Sequence, residues 1–378
     1  MNTAILALED GAILHGDGFG AQTSAVFELV FNTSMTGYQE ILSDPSYRGQ
    51  GVLFTASHIG NVGINLEDDE SLRPQASAAL VREVSPVISN WRSRTSLQDW
   101  LAQAGVPGIS GIDTRYLTRK LRDQGVMKAA LSTNGESPAA LLEMARAWPG
   151  LDGRDMVAEA TCPEPWHWSG DAGSVWVEPQ PGAVNQPPAR IVLYDFGAKR
   201  NIIRHLAAFG YQVTVVPAYT PCAEVLRLNP AGILLSNGPG DPAGLPGIVN
   251  IVRDLLETGT PLFGICLGHQ LIGRALGGST MKLKFGHHSG NHPVQDLRTK
   301  KVQVTSQNHN YAVAVESLDP EQVELTHISL NDRTVEGLRH KRLPVFSVQY
   351  HPEAAPGPHD AHGLFNEFHQ LICTQRSR

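Results

Sequence analysis

The stretch GILLSNGPGDPAGLPGIVNIVRDLLETGTPLFGICLGHQLIGRAL, residues 232–276, decides the fold. Its first four residues read as a short buried strand that runs into the turn SNGPGDP at 236–242. A helix follows, with Ile248, Ile251, Val252, Leu255 and Leu256 on one face and a stop near Gly259. Pro261 leads into a second apolar strand at 262–265, and GICLG turns that strand into a helix over 268–276. Outward from this core, 190–195 is another buried-type strand. Behind it comes a helix carrying Ile202, Ile203 and Leu206, stopped by Gly210, and then a strand at 211–216. A further strand is expected at 345–350. Such alternation predicts an α/β unit with a mixed, largely parallel sheet and helices on both faces, its ligands lying outside the carboxyl ends of the strands.

The first half is less regular. Strand-like runs at 4–8, 26–31 and 51–55 are separated by glycine-rich turns, and 113–123 reads as a basic amphipathic helix, which together predict a smaller α+β domain. A chain of 378 residues suits two domains, at about 150 residues each. The expected boundaries are 1–150, a Pro/Trp-rich connection at 151–189, and 190–378. The connection is marked by six prolines and three tryptophans between Cys162 and Arg190, with the tryptophans expected to pack on a domain surface.

Charge and cysteine usage narrow the function. A net charge of −7 gives no general pull toward nucleic acid or anionic membrane, and no apolar run approaches the roughly 18 residues that cross a bilayer. Glu9 and Asp10 break the N-terminal apolar stretch, so neither a signal peptide nor a transit peptide is expected. Four dispersed cysteines without a CxxC fit a reducing cytoplasm rather than a disulfide framework.

One of them has chemical potential. Gly264-Ile265-Cys266-Leu267-Gly268 has the form Gly-x-Cys-x-Gly at a strand-to-helix turn, where the glycines are expected to permit the tight corner. The corner would lift Cys266 above the sheet edge, beside unpaired N–H groups at the helix start. Holding a thiol of ordinary pKa, about 8.5, as thiolate at neutral pH takes roughly 2 to 3 kcal/mol, more than the helix terminus alone supplies. A nearby imidazole must contribute. Among fifteen histidines, His351 follows a strand that ends at the same edge, and Pro352 forces it into extended backbone. Glu353, two residues on, then projects to the same side and can fix the imidazole tautomer, which completes a Cys, His, acid triad. For the oxyanion of an acyl-transfer intermediate, the N–H of Leu267 is one expected donor, and the turn at 236–241, with Gly238, is the expected source of the second. The three histidines of MKLKFGHHSGNHPV at 281–294 lack an acidic or Cys companion. They are read as a hydrogen-bonded loop beside the site, not as a metal centre.

With these residues assembled, the chain resembles the class I glutamine amidotransferases, and more closely the small, glutamine-hydrolysing subunit family of carbamoyl-phosphate synthetase. In the second half the resemblance rests on SNGPGDP at 236–242, GICLGHQ at 264–270, KFGHHSGNHP at 284–293, SQNHNYAV at 306–313 and HPEAAPGPHD at 351–360. The small-subunit assignment rests on FNTSMTGYQEILSDPSYRGQ at 31–50, HIGNVGIN at 58–65 and GIDTRYLTRKLRDQG at 111–125. The resemblance implies that Cys266 attacks the side-chain amide of glutamine, that His351 protonates the leaving ammonia, and that water hydrolyses a γ-glutamyl thioester. It implies oxyanion contacts from Gly238 and Leu267. It also implies contacts to the rest of glutamine from Ser46, Gly240, Gln270, Asn308, Asn310 and Tyr311.

No cofactor is expected in this chain. The family's ammonia passes to a large synthetase subunit that uses bicarbonate, ATP and magnesium to make carbamoyl phosphate for arginine and pyrimidine synthesis, in a higher oligomer of heterodimers. No nucleotide-binding fingerprint stands in this sequence. Asn310-Tyr311 departs from a frequent Gly-Phe, and Tyr350 stands where Gly is frequent. A left-handed backbone at 310 would be tolerated by Asn. Two alternatives remain open at this point: an amidotransferase serving another synthetase, for anthranilate, guanylate or aminodeoxychorismate, and a catalytically silent subunit that kept the fold. The N-terminal motifs argue against the first, and intact Cys266, His351 and Glu353 against the second.

Overall fold

The computed structural model describes residues 2–170, 177 and 189–376. The chain divides into two compact units, Met1–Asp152 with Lys284–Gly290, and Gly153–Leu283 with Asn291–Arg378.

The first unit is built on a closed barrel. Its strands run in the order Asn2–Leu8, Ile13–Gly20, Pro107–Ser110, Ala78–Leu80, Gln50–Phe54, Ser24–Asn32 and Met127–Ser132. Ser24–Asn32, Gln50–Phe54, Ala78–Leu80 and Pro107–Ser110 pair in parallel, and the remaining pairs are antiparallel. Closure leaves no unpaired edge. The strand Ser24–Asn32 alternates sides: Phe27 and Leu29 join one apolar cluster and Val30 another. The helix expected at 113–123 is Thr114–Gln124, started by the Asp113 carboxylate accepting the Tyr116 N–H at 2.9 Å. Leu117 and Leu121, four apart, are its buried apolar pair.

The second unit carries a ten-stranded sheet. At its centre Gln212–Pro217, Arg190–Asp195, Gly232–Leu235, Leu262–Ile265 and Val345–Val348 lie side by side in parallel. Antiparallel strands extend it on both flanks: Trp166–His167 on one, and Val335–His340, Val323–Ser329, Thr280–Asp296 and Val302–Val313 on the other. The period of two in a strand explains the layering. Along Arg190–Asp195, Val192 and Tyr194 enter one core with Ile248, Val252 and Leu255 of helix Pro246–Glu257 and Leu271 of helix Leu267–Ala275. Ile191 and Leu193 enter the other, with Ile202 and Leu206 of helix Arg200–Ala208 and Phe365 and Phe368 of helix Gly363–Arg376. Each fully buried side chain of this kind contributes about 1.5–3 kcal/mol.

Two segments differ from expectation. Residues 281–294, read as a loop, lie within the seventeen-residue strand Thr280–Asp296, because partners distant in sequence supply a pairing that its mixed Lys, His and Gly composition does not announce. The Pro/Trp-rich stretch falls partly outside the described residues. Within them it holds the short helix Val157–Ala160 and the edge strand Trp166–His167. Trp168 packs half-buried against the sheet core, whereas Trp166 is exposed. Among the described residues, no helix is long and apolar enough to cross a membrane.

Candidate active site

The strand Leu262–Ile265 ends at Cys266, and the helix Leu267–Ala275 begins on the next residue. Cys266 itself takes up the corner, with φ 53° and ψ −104°, a conformation that costs a side-chain-bearing residue roughly 1–3 kcal/mol. The sequence reading gave that task to the glycines, but the backbone of Gly264 and Gly268 is not left-handed. Their role is close approach: a Cβ on Gly264 would stand 2.6 Å from Ile272 Cδ1, and one on Gly268 2.3 Å from the Leu235 carbonyl. Small residues here let the helix sit tightly against the sheet and impose the strained geometry on Cys266. Its N–H donates to Val348 O at 2.9 Å, and its carbonyl accepts the Gln270 N–H at 3.1 Å.

The sulfur is buried, with Cys266 2% exposed. It donates to the Asn308 carbonyl at 3.6 Å and accepts from Gln349 Nε2 at 3.7 Å. His351 lies just beyond the strand Val345–Val348, which ends two residues short of the expected 345–350, and its N–H is held by Ser306 O at 2.9 Å. The His351 Nδ1 and Glu353 Oε1 are 2.6 Å apart, as the two-residue spacing requires. Nε2 makes no hydrogen bond of standard geometry among the described residues, and the Cys266 sulfur acts on the ring both through its charge and through a looser hydrogen-bond contact. Burial pulls the imidazolium down, but the Glu353 carboxylate and the Cys266 sulfur outweigh it and raise the His351 pKa to about 10. Glu353 moves the other way. Burial alone would push its carboxyl up, whereas Lys199 and then His351 bring it down to about 2.

Lys199 was not found from the sequence. Asp195 closes a turn after its strand by accepting the N–H groups of Gly197 and Ala198 at 3.0 and 2.8 Å, which carries Lys199 under the HPE segment. There the buried ammonium pairs with Glu353 Oε1 at 3.0 Å and donates to Ala354 O at 2.5 Å. Asn201 Nδ2 donates to the Glu353 carbonyl at 2.6 Å. The available signal was position: both residues follow the carboxyl end of a central parallel strand.

The turn at 236–242 flanks the same corner. Ser236 O accepts the Gly268 N–H at 3.0 Å, Ser236 Oγ accepts the Phe196 N–H at 2.9 Å, and Asn237 Oδ1 accepts the Lys199 N–H at 3.1 Å. Gly238 abuts Leu267: a Cβ there would meet Phe196 O at 2.3 Å and Leu267 Cδ2 at 2.9 Å. Gly240 is left-handed at φ 91°. With the Gly268 and Gln270 N–H groups already taken, the Leu267 N–H stands at the head of the helix, outside its hydrogen-bond ladder.

Gln270 Nε2 reaches both Tyr311 O at 2.7 Å and Gln349 Oε1 at 3.0 Å. Asn308, Asn310 and Tyr311 are buried in the strand Val302–Val313, so Asn310 is extended, not left-handed as a glycine-like contact there would require. Tyr350 is fully buried, its hydroxyl toward Gln303. Ser46 belongs to the first unit, in the single turn Pro45–Tyr47, where Asp44 Oδ1 accepts its N–H at 2.9 Å.

Two family models match in succession: "Carbamoyl-phosphate synthase small chain, CPSase domain" over residues 6–131 and "Glutamine amidotransferase class-I" over residues 192–371. The carbamoyl phosphate synthase small chain of Syntrophotalea carbinolica is 53% identical over 373 residues, 99% of this chain and 98% of that one. The small chain of a Nostoc species is 51% identical over 376 residues, covering 99% and 96%. That of Thermosynechococcus vestitus is 50% identical over 365 residues, covering 97% and 95%. Matched nearly end to end, the chain belongs to the carbamoyl phosphate synthase small-chain family, an enzyme family whose second half is a class I glutamine amidotransferase domain.

Proposed function

We propose that this chain is the glutaminase subunit of a carbamoyl-phosphate synthetase, with Cys266 as nucleophile, His351 as proton carrier and Glu353 as the acid that orients it. The thiolate attacks the side-chain amide carbon of L-glutamine, forming the C–S bond of a tetrahedral intermediate whose oxyanion is received by the N–H groups of Gly238 and Leu267. The C–N bond then breaks as His351 Nε2 gives its proton to the leaving ammonia, and a γ-glutamyl thioester remains. Water, deprotonated by the same nitrogen, cleaves the thioester and releases glutamate. Gly240, Gln270, Asn308, Asn310 and Tyr311 hold the amino-acid end, and the family resemblance adds Ser46 as a glutamine contact.

The observation that carries this reading is the buried chain from Lys199 through Glu353 to His351 beside a sulfur on a strained strand-to-helix corner. A buried, charge-backed imidazole keeps its proton where the sulfur can lose one.

The rest of the reading follows the family. The ammonia is delivered to a large synthetase subunit that binds ATP and magnesium and uses bicarbonate, in the cytoplasm, within a higher oligomer of heterodimers. The product serves arginine and pyrimidine synthesis. Residues 1–150 contact that subunit, and 190–378 carry the amidotransferase chemistry. The test is Cys266→Ser in the assembled complex. Glutamine-dependent carbamoyl phosphate synthesis falls about a thousandfold or more, while added ammonia still supports synthesis. Retained glutamine-dependent synthesis removes Cys266 from the chemistry.

A further inference from the structure

Gln349 is wholly buried, and its side-chain amide lies between two groups whose chemistry fixes its orientation. On one side Tyr311 O, a backbone carbonyl and so an acceptor only, takes a hydrogen from Gln270 Nε2 at 2.7 Å. That requires the nitrogen end of the Gln270 amide to face Tyr311, and the same nitrogen meets the Gln349 amide at 3.0 Å. A donor there can be answered only by the Gln349 oxygen, which leaves Gln349 Nε2 pointing at Cys266 Sγ, 3.7 Å away. Turning the Gln349 amide over would set two NH2 groups against each other and a carbonyl oxygen against the sulfur. The order Tyr311 carbonyl, Gln270 amide, Gln349 amide, sulfur is therefore a directed hydrogen-bond chain that ends in a donor.

The surroundings of the sulfur give that donor its importance. As a thiol, Cys266 donates to Asn308 O at 3.6 Å. On ionisation that contact loses its hydrogen and becomes a carbonyl dipole facing an anion. The groups that favour the anion are His351, itself backed by Glu353 and Lys199, the head of the helix Leu267–Ala275, and the Gln349 N–H. Buried hydrogen bonds to charged groups are stronger than neutral ones because water does not compete for them.

We infer that Gln349 is a thiolate donor of the site: its amide, aimed by Gln270 and the Tyr311 carbonyl, stabilises ionised Cys266 and holds the sulfur in place for attack. This rests on Cys266 being the nucleophile and adds to it a residue that touches the reacting atom through a neutral hydrogen bond.

The experiment uses the full chain in complex with its large subunit and measures, by mass spectrometry of the Cys266 peptide, the rate of alkylation by iodoacetamide from pH 5 to 10. Gln349→Met, of similar length but without a donor, moves the apparent alkylation midpoint upward by about one unit, a tenfold loss of thiolate at a fixed pH below it. Gln349→Glu keeps an acceptor for Gln270 Nε2 but turns an oxygen on the sulfur, and moves the midpoint further. Gln270→Met, which leaves Gln349 present but unaimed, gives a smaller upward shift. Cys162 and Cys222 report on unrelated thiols and keep their rates, and ammonia-dependent synthesis reports that the complex is intact. If Gln349→Met does not assemble, the nearly isosteric Gln349→Glu carries the test. A wild-type midpoint in whichever of these two variants assembles overturns the inference. Activity of Cys266→Ser with glutamine would instead overturn the nucleophile assignment, so the two failures are told apart.

Discussion

Each unit buries a polar network, and the two are built differently. In the barrel unit, Gln39 Nε2 donates to Asn65 O at 2.7 Å while its oxygen accepts the Asn65 N–H at 3.0 Å. Tyr38 donates to Gly63 O at 2.6 Å, Ser43 to Gln39 O at 2.7 Å, and Ser43 Oγ accepts the Glu70 N–H at 2.9 Å. The network's buried links are amides and hydroxyls, and carboxylates join at its half-buried rim, where Asp69 Oδ1 accepts from Gln39 Nε2 at 2.8 Å and Asp68 Oδ2 from Asn65 Nδ2 at 2.6 Å. In the sheet unit the buried network is charged, Lys199 to Glu353 to His351, and it is left open: Glu353 Oε2 and His351 Nε2 have no hydrogen-bond partner among the described residues. A network linked mainly through neutral groups pins loops together. An open charged one holds a proton and an unused acceptor ready, at the cost of desolvating ions.

Substitutions on the charged side break that contrast hardest. Lys199→Met removes one of the two cations that neutralise the buried Glu353 and leaves it with His351 alone, with an expected loss of about 3 kcal/mol in denaturant unfolding of the chain and loss of glutamine-dependent turnover. A change below about 1 kcal/mol would put this network in the same class as the neutral one. Glu353→Gln keeps volume and a hydrogen bond to His351 but removes the charge that holds the imidazolium, and should lower glutamine-dependent turnover about a hundredfold.

The same variant sharpens the comparison through pH. Glu353 is depressed from 4.5 to about 2, so its contribution to stability is present above pH 4.5 and is lost as pH falls toward 2. His351 is raised from 6.5 to about 10, so its contribution is present below pH 6.5 and is lost as pH rises through 10. Wild-type stability, followed by denaturation midpoint, should therefore fall away on both sides of this window. Glu353→Gln should flatten the acid limb and weaken the alkaline one. Identical limbs in both proteins would mean that the native pair does not carry these shifts.

How far each network could be read beforehand follows from its chemistry. Arg190–Asp195, Gly232–Leu235 and Leu262–Ile265 are apolar runs ended by Asp, Gly and Pro turns, and their local pattern matches their place in a parallel sheet. His351 and Glu353 were legible because Pro352 fixes their relative direction. Lys199 was not, since AKRN at 198–201 has the composition of a solvated helix start and becomes a counter-ion only where the HPE segment folds over it. Gln349 is hidden for the same reason, its meaning set by Gln270 and Cys266, 79 and 83 residues away. The barrel was hardest. Ala78–Leu80 and Pro107–Ser110 are too short to show a period, Ile13–Gly20 carries three glycines, and their parallel and antiparallel partners lie far along the chain.

The smallest expected effect tests the neutral side. Tyr38→Phe removes one hydroxyl and leaves the Gly63 carbonyl without that donor, while the ring keeps its place in the apolar cluster with Ile41 and Leu42. The cost should be near 1 kcal/mol in unfolding free energy, because a neutral bond is exchanged for partial hydration of one carbonyl. Below about pH 9, where a phenol stays neutral, no charge changes, so the pH dependence of stability should keep its wild-type shape over that range, and glutamine-dependent turnover per folded molecule should be unchanged. Parallel pH-stability curves for Tyr38→Phe and wild type, set beside altered limbs for Glu353→Gln, would separate a network that only holds loops from one that stores a proton. A reshaped curve for Tyr38→Phe in that range would mean that the barrel network is electrostatically coupled to groups beyond it, and the contrast would fail.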